Sequence, residues 1–169
     1  MKLKVTAFWL VVLAALFIFL QEYSKFHFFF IEQSQLFQFT GEYISEKLAM
    51  PGGFALTLSE FLVQFFIYPY AGAGITAGLL LLTGLGMRGI VRRIAPDTNC
   101  FLLYLIPIVL IMFLHFYFNY LVFGTIAFNM MLCALYFCLC ISTDKWRMIA
   151  EIIITPLLYG LAGSVACLF

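Results

Sequence analysis

Two carboxylates stand where an acid could do chemistry at a membrane boundary. Glu22 closes the first long apolar run of the chain, and Glu32 follows ten residues later in a polar stretch. A carboxylate in that position can accept a proton as a general base or hold a cation. Neither has an acidic neighbour close in sequence to form a paired Asp-Asp or Asp-Glu site. A solvated acid in a loop is the simpler reading of both. Glu151 is the other acid of interest, because it falls inside an apolar segment, where an ionisable group must pair or reach toward water. Arg147 precedes it by four residues, the spacing at which two helical side chains share a face, so an Arg147–Glu151 ion pair is expected.

The remaining reactive residues form no recognisable site. His27 and His115 lie far apart, each among aromatic residues. Cys100, Cys133, Cys138, Cys140 and Cys167 all sit in or beside apolar segments, and none is in the long polar loop. That distribution argues against a disulfide framework. Cys138 and Cys140 are two apart, which points them to different sides of a helix and makes a poor metal pair. No zinc-ligand spacing, phosphate-binding loop, dinucleotide fingerprint or nucleophile elbow is present, so neither a metal nor a cofactor is expected.

The elements that position these groups are apolar. Hydrophobic residues make up 65% of the 169-residue chain and charged residues 10%, against roughly half and a quarter in soluble domains. Mean hydropathy is +1.09. Such a chain cannot cover itself with polar surface in water, and it reads as an all-α, polytopic transmembrane bundle. Crossing about 30 Å of hydrocarbon takes about 20 helical residues. By that measure a single membrane domain, 1–169, holds about five spans: 5–23, 61–87, 100–118, 121–141 and 148–169.

Lys2 and Lys4 precede the first run as in a signal peptide, but no small-x-small cleavage pattern follows it, so it is read as an uncleaved span. The outer loop, 24–60, together with the end of the first run carries five glutamates against two lysines. Within it Phe26–Ile31 and Leu36–Phe39 are too short to span, and they suit short helices at the interface or on top of the bundle. Pro51-Gly52-Gly53 forces a turn. The following run is interrupted at Tyr68-Pro69-Tyr70, which predicts a short approach helix turning into a span near Tyr70; one long kinked helix is the alternative. Gly74 and Gly78 have GxxxG spacing, which predicts close helix packing on that face.

Orientation follows from the basic residues. With the N-terminus inside, Lys2, Lys4, Arg88, Arg92, Arg93, Lys145 and Arg147 fall on the cytoplasmic side, seven of the nine in the chain. Arg88, Arg92 and Arg93 then meet anionic headgroups as a cytoplasmic anchor. Membrane lipids are the expected partners and nucleic acid is not. No feature of the sequence sets the oligomeric state.

The segments Gln33–Thr40, Tyr43, Pro51-Gly52-Gly53 and Phe61–Pro69 together resemble the start of a family of large multi-spanning membrane proteins of uncharacterised function from Bacteroidetes. In that family a first span is followed by a "QLFLFT…PGG" outer loop and an aromatic "FLxQFF" lead into the second span; Gln38 replaces the leucine here. The likeness is specific over the first ninety or so residues and looser beyond. It implies a bacterial inner-membrane protein and no particular activity. Since the family's members are several times longer, and the chain stops at an apolar segment, it reads as a fragment whose partners include further helices of a longer protein. Three functions stay open: an inner-membrane protein without assigned chemistry, the N-terminal part of a glycosyltransferase-like enzyme on lipid-linked saccharide with Glu22 or Glu32 as its acid, and a transporter fragment.

Overall fold

The computed structural model describes residues 2–96, 101–117 and 119–169, and the side chains from residue 4 onward. Helices account for the described elements, and no strand occurs among them. They are α1 (Lys2–Tyr23), α2 (Lys25–Ser34), α3 (Gly41–Leu48), α4 (Gly53–Val63, continued as a 3-10 turn over Gln64–Ile67), α5 (Ala71–Ile94), α6 (Phe101–His115), α7 (Val122–Cys140) and α8 (Asp144–Ala162, continued as a 3-10 turn over Gly163–Leu168).

Four helical stretches are long and apolar enough to cross a membrane: Lys4–Tyr23, Ala71–Ile94, Val122–Cys140 and Asp144–Leu168. The described part of α6 has 15 residues, about 22 Å at 1.5 Å per residue, and is shorter than the span expected over 100–118. Cys100 and Phe118, the expected ends of that span, lie outside the described residues. Even so, α6 lies level with α1 at both ends. Phe101 meets Phe8 with ring centroids 4.8 Å apart, and Phe116, just past the other end, meets Phe19 at 5.9 Å. Both helices therefore run side by side in one direction. Pro107 and Pro156 lie inside α6 and α8, and neither ends its helix.

At the centre of the bundle is α5, which packs on α1 and α6 on one side and on α7 on the other. The α5–α7 pairing is parallel and in register: Asn129 Nδ2 donates to the Leu79 carbonyl at 3.1 Å, Gly86 faces Leu132, and Gly89 faces Tyr136. Thr83 Oγ1 donates to Asn129 Oδ1 at 3.0 Å, so the amide of Asn129 is held by α5 at both ends. In a layer without water, small residues and satisfied polar pairs of this kind fix helix contacts. Deeper still, Gly84 admits Trp9 and Ile108 against the α5 backbone, joining three helices at one point.

The expected interruption at Tyr68-Pro69-Tyr70 separates two helices. Ile67 ends the approach turn, Pro69 lies in the turn, and the long helix begins at Ala71 and ends at Ile94, seven residues beyond the predicted Met87. Tyr70, the residue before α5, has φ 69°, a left-handed conformation that bulky side chains rarely adopt. In the loop, residues 25–34 form the expected short helix, but Leu36–Phe39 form no helix. Their Phe37 packs edge-on against Phe61 and Tyr43 instead, at centroid distances of 5.8 Å and 5.8 Å.

These connections gather at one end of the bundle. Phe28 of α2 lies on Gly72 at the start of α5, and the N–H of Gly52 donates to the Gly160 carbonyl near the end of α8 at 2.9 Å. The sequence-adjacent ends of α6 and α7 meet at the same level through His115 and Thr125. At the opposite end stand Phe8, Phe101, Arg92, Arg93 and the α7–α8 turn.

Candidate functional site

The helix α4 has two working faces. Leu58 and Leu62, four apart, line an apolar cleft of about 550 Å³ shared with Leu79, Leu82, Ile126 and Leu158 of the spans. Leu56 and Glu60, also four apart, lie on another side and line a second cavity of about 540 Å³. This second cavity holds the charged chemistry.

Glu60 is only 7% exposed. A carboxylate buried to that degree needs donors, since an unpaired buried charge is strongly disfavoured. Two come from α3. Lys47 Nζ lies 2.8 Å from Oε1, and the Tyr43 hydroxyl donates to Oε2 at 2.6 Å. The sequence folds α3 to deliver them: Thr40 caps it by accepting from the Tyr43 N–H at 3.4 Å, Glu42 lies in its first turn, and Lys47 lies in its last turn. That arrangement complements the helix dipole. Tyr43 and Lys47 are four apart and share one side of α3, where the ammonium also stands 5.2 Å from the Tyr43 ring centre.

The hydrogen bond to Glu60 pushes the Lys47 ammonium above its ordinary range, so it stays charged. Burial, and then the hydrogen bond to Glu60, pushes the Tyr43 phenol up as well, so it stays protonated and donating. The rest of the wall is mixed. Phe30, Leu36 and Leu121 are apolar, whereas Gln35 and Asn119 bring amides. The Gln35 Oε1 atom is buried with no hydrogen-bond partner among the described residues. Gln64, one turn beyond Glu60, donates from Nε2 to the Phe37 carbonyl at 2.9 Å and ties the segment around Phe37 to the end of α4.

A second polar cluster lies deeper. His115 is 2% exposed, with Nε2 2.8 Å from Thr125 Oγ1, and Tyr120 Oη is 3.2 Å from the same hydroxyl. His115 Nδ1 has no hydrogen-bond partner among the described residues. His27 is half-buried on α2, and burial holds its pKa below the ordinary value. No group of three or more His, Cys, Asp or Glu that could hold a metal occurs among the described residues.

The residues singled out by sequence fall elsewhere. Glu22 is exposed and Glu32 half-buried, and neither lines either of these cavities. Gly74 is exposed, with Phe17 no nearer than 3.9 Å to a Cβ placed there, and a Cβ at Gly78 would meet nothing within 4 Å. The tightest glycine contacts of α5 are at Gly72, against Phe28, and at Gly84, against Trp9 and Ile108. Arg147 pairs with Asp144 at 2.6 Å, three residues before it, and not with Glu151. The α8 helix starts early enough to include Asp144 in its first turn, which the predicted start at Met148 did not allow. Arg88 is half-buried, and Arg92 and Arg93 are exposed at the last turn of α5. Cys133, Cys140 and Cys167 are exposed, Cys138 is buried, and all four are free thiols.

Residues 1–169 match a family described as "Family of unknown function (DUF6057)". The chain belongs to that family. The match runs past the ninety or so residues whose motifs carry the resemblance and takes in α6, α7 and α8. No curated protein and no solved structure matches the DUF6057 chain.

Sequence reading missed the Glu60–Lys47–Tyr43 cluster. Each of the three was visible as one charge or one aromatic among several in the loop. The available signal was the four-residue spacing of Tyr43 and Lys47 behind a Thr cap, together with a lone acid at the head of an apolar run.

Proposed function

We propose that this DUF6057 chain is a multi-pass protein of the bacterial inner membrane, with its N-terminus in the cytoplasm, and that its working site is the cavity beside Glu60 on the outer side. Four membrane-length apolar helices support the membrane part. The sidedness rests on Lys4, Arg88, Arg92, Arg93, Lys145 and Arg147 belonging to the end of the bundle away from α2, α3 and α4. A Bacteroidetes source and lipid as the surrounding partner are part of the same reading.

The observation that carries the site is the burial of Glu60 against Lys47 and Tyr43 at a cavity wall. Buried ion pairs are a weak source of stability, because apolar residues of similar volume fill such positions as well or better. Their concentration in a cavity fits recognition of a polar group. A second reading, catalysis on a lipid-linked saccharide, now draws on Glu60 in place of Glu22 and Glu32. Nothing comparable favours a transporter, because α8 runs unbroken through Pro156 and Pro69 lies in a turn between helices.

The test joins sidedness to the site. In a background freed of native cysteines, Asn119→Cys in intact cells should react with a membrane-impermeant maleimide, and a cysteine at Arg93 should react only after the membrane is opened. The reverse pattern overturns the orientation and places the cavity in the cytoplasm.

A further inference from the structure

The chemistry of the cavity wall narrows its ligand. Glu60 and Lys47 neutralise one another at 2.8 Å, so the pair offers no net charge to select a cation or an anion. What remains is hydrogen bonding of mixed sense. Asn119 is an exposed amide that both donates and accepts, and Lys47 has N–H groups beyond the one directed at Glu60. Between them lie apolar walls from Leu36, Leu56 and Leu121 and the aromatic ring of Phe30. A group matching this wall is uncharged, carries closely spaced hydroxyls that donate and accept at once, and has an apolar carbon face. That is a sugar ring.

We infer that the cavity binds a neutral saccharide unit, an inference that rests on the cavity being the working site. Its volume of about 540 Å³ is that of a small-molecule site. The other side of α4 lines the apolar cleft among the spans, so a sugar held at Leu56 and Glu60 sits one helix thickness from acyl chains. A free sugar and the headgroup of a glycolipid present the same chemistry here.

The experiment uses the full chain in lipid nanodiscs, prepared without glycoside detergents. Saturation-transfer NMR is recorded with the methyl glycosides of glucose, galactose, mannose and N-acetylglucosamine, and separately with inorganic phosphate and with choline. At least one methyl glycoside should receive saturation, and Asn119→Ala or Asn119→Leu should weaken its binding by about five- to tenfold while leaving the ion pair and the melting temperature in place. If the octyl glycoside of that sugar competes at tenfold lower concentration, the source is a lipid headgroup; equal competition marks a free sugar. Binding of phosphate or choline that the same substitutions weaken would overturn the saccharide and keep the cavity as the site. Saturation of no probe, with the protein folded, would overturn both.

Discussion

Lys47 reaches across thirteen residues of sequence to place its Nζ 2.8 Å from Glu60 Oε1, joining α3 to α4. Removing one partner leaves the other charged and partly buried. Lys47→Met should therefore cost about 1–3 kcal/mol, below the value for a fully buried pair because the lysine is 24% exposed. The double change Lys47→Met with Glu60→Leu should recover most of that loss, since it removes the stranded carboxylate. Thermal unfolding in one detergent decides it. Equal losses in the single and double variants would mean that the pair acts through packing alone.

The same cluster sets a response to alkali. Lys47 and Tyr43 both have folded pKa values above their ordinary ones, the lysine through Glu60 and the phenol chiefly through burial. A raised folded pKa gives stability that is complete below the unfolded value and is lost as pH rises through the folded one. The connection between α3 and α4 should thus hold up to about pH 10 and loosen above it. Limited proteolysis around Met50 as a function of pH reports that opening. In Tyr43→Phe with Lys47→Met the dependence above pH 10 should flatten; an unchanged profile would assign it to other groups.

Glycine spacing and glycine packing disagree on α5, and the disagreement can be measured. A Cβ at Gly84 would stand 2.5 Å from Ile108 Cδ1 and 2.8 Å from the Trp9 ring, so Gly84→Leu should unfold or misassemble the bundle, and Gly84→Ala should cost about 1–3 kcal/mol. Gly78→Ala meets nothing within 4 Å and should be neutral or slightly stabilising. The comparison is made by melting temperature in detergent. A large loss at Gly78 with tolerance at Gly84 would contradict the packing described.

The reach of the sequence ended where contacts became tertiary. Run lengths of apolar residues marked the long helices because a bilayer sets a length requirement that composition alone must meet, and Pro69 marked the break before α5 because the ring removes a donor wherever it occurs. The short segments behaved differently. Leu36–Phe39 carry the aromatic weight of an interfacial helix, yet they form none, and Gln64 takes the Phe37 carbonyl while Phe61 takes its ring. No described residue packs closely on the GxxxG pair of α5: which glycines are covered within the chain depends on where Phe28, Trp9 and Ile108 arrive from other helices. Glu60 was hidden for the same reason, since nothing local separates it from the other loop glutamates until α3 folds back on it.

Thr125 should be needed because of what it holds. Its hydroxyl is the polar partner of His115 Nε2 inside the bundle, and the helices α6 and α7 are joined there. Thr125→Val keeps the shape and removes the hydroxyl, leaving the imidazole nitrogen without its partner. In a membrane such bonds contribute about 1 kcal/mol, so the melting temperature should fall modestly. His115→Leu with Thr125→Val should be no worse than Thr125→Val alone, because both polar groups are then gone. A double variant much less stable than either single would show that each side chain has a separate role.

Gly52 and Gly163 meet in the left-handed region at the point where the outer loop rests on α8. Their φ values are 80° and 69°, and a Cβ on Gly52 would lie 3.1 Å from the Gly163 Cα. Two requirements therefore coincide at Gly52: a positive φ, which costs an L side chain about 1–2 kcal/mol, and a tight backbone approach; at Gly163 the positive φ stands alone, since a Cβ there would make ordinary contacts from 3.4 Å. The Gly52 N–H bond to the Gly160 carbonyl at 2.9 Å depends on that approach. Gly52→Ala should thus destabilise by about 2 kcal/mol and separate the start of α4 from α8, and Gly160→Ala, where a Cβ meets nothing within 4 Å, should have little effect. Hydrogen exchange of the amides around Gly52 distinguishes the two. Faster exchange in Gly52→Ala alone is expected, because the strain is local to the contact; equal exchange in both variants would show that α4 is held by its apolar face on α7 and α8 and not by this backbone contact.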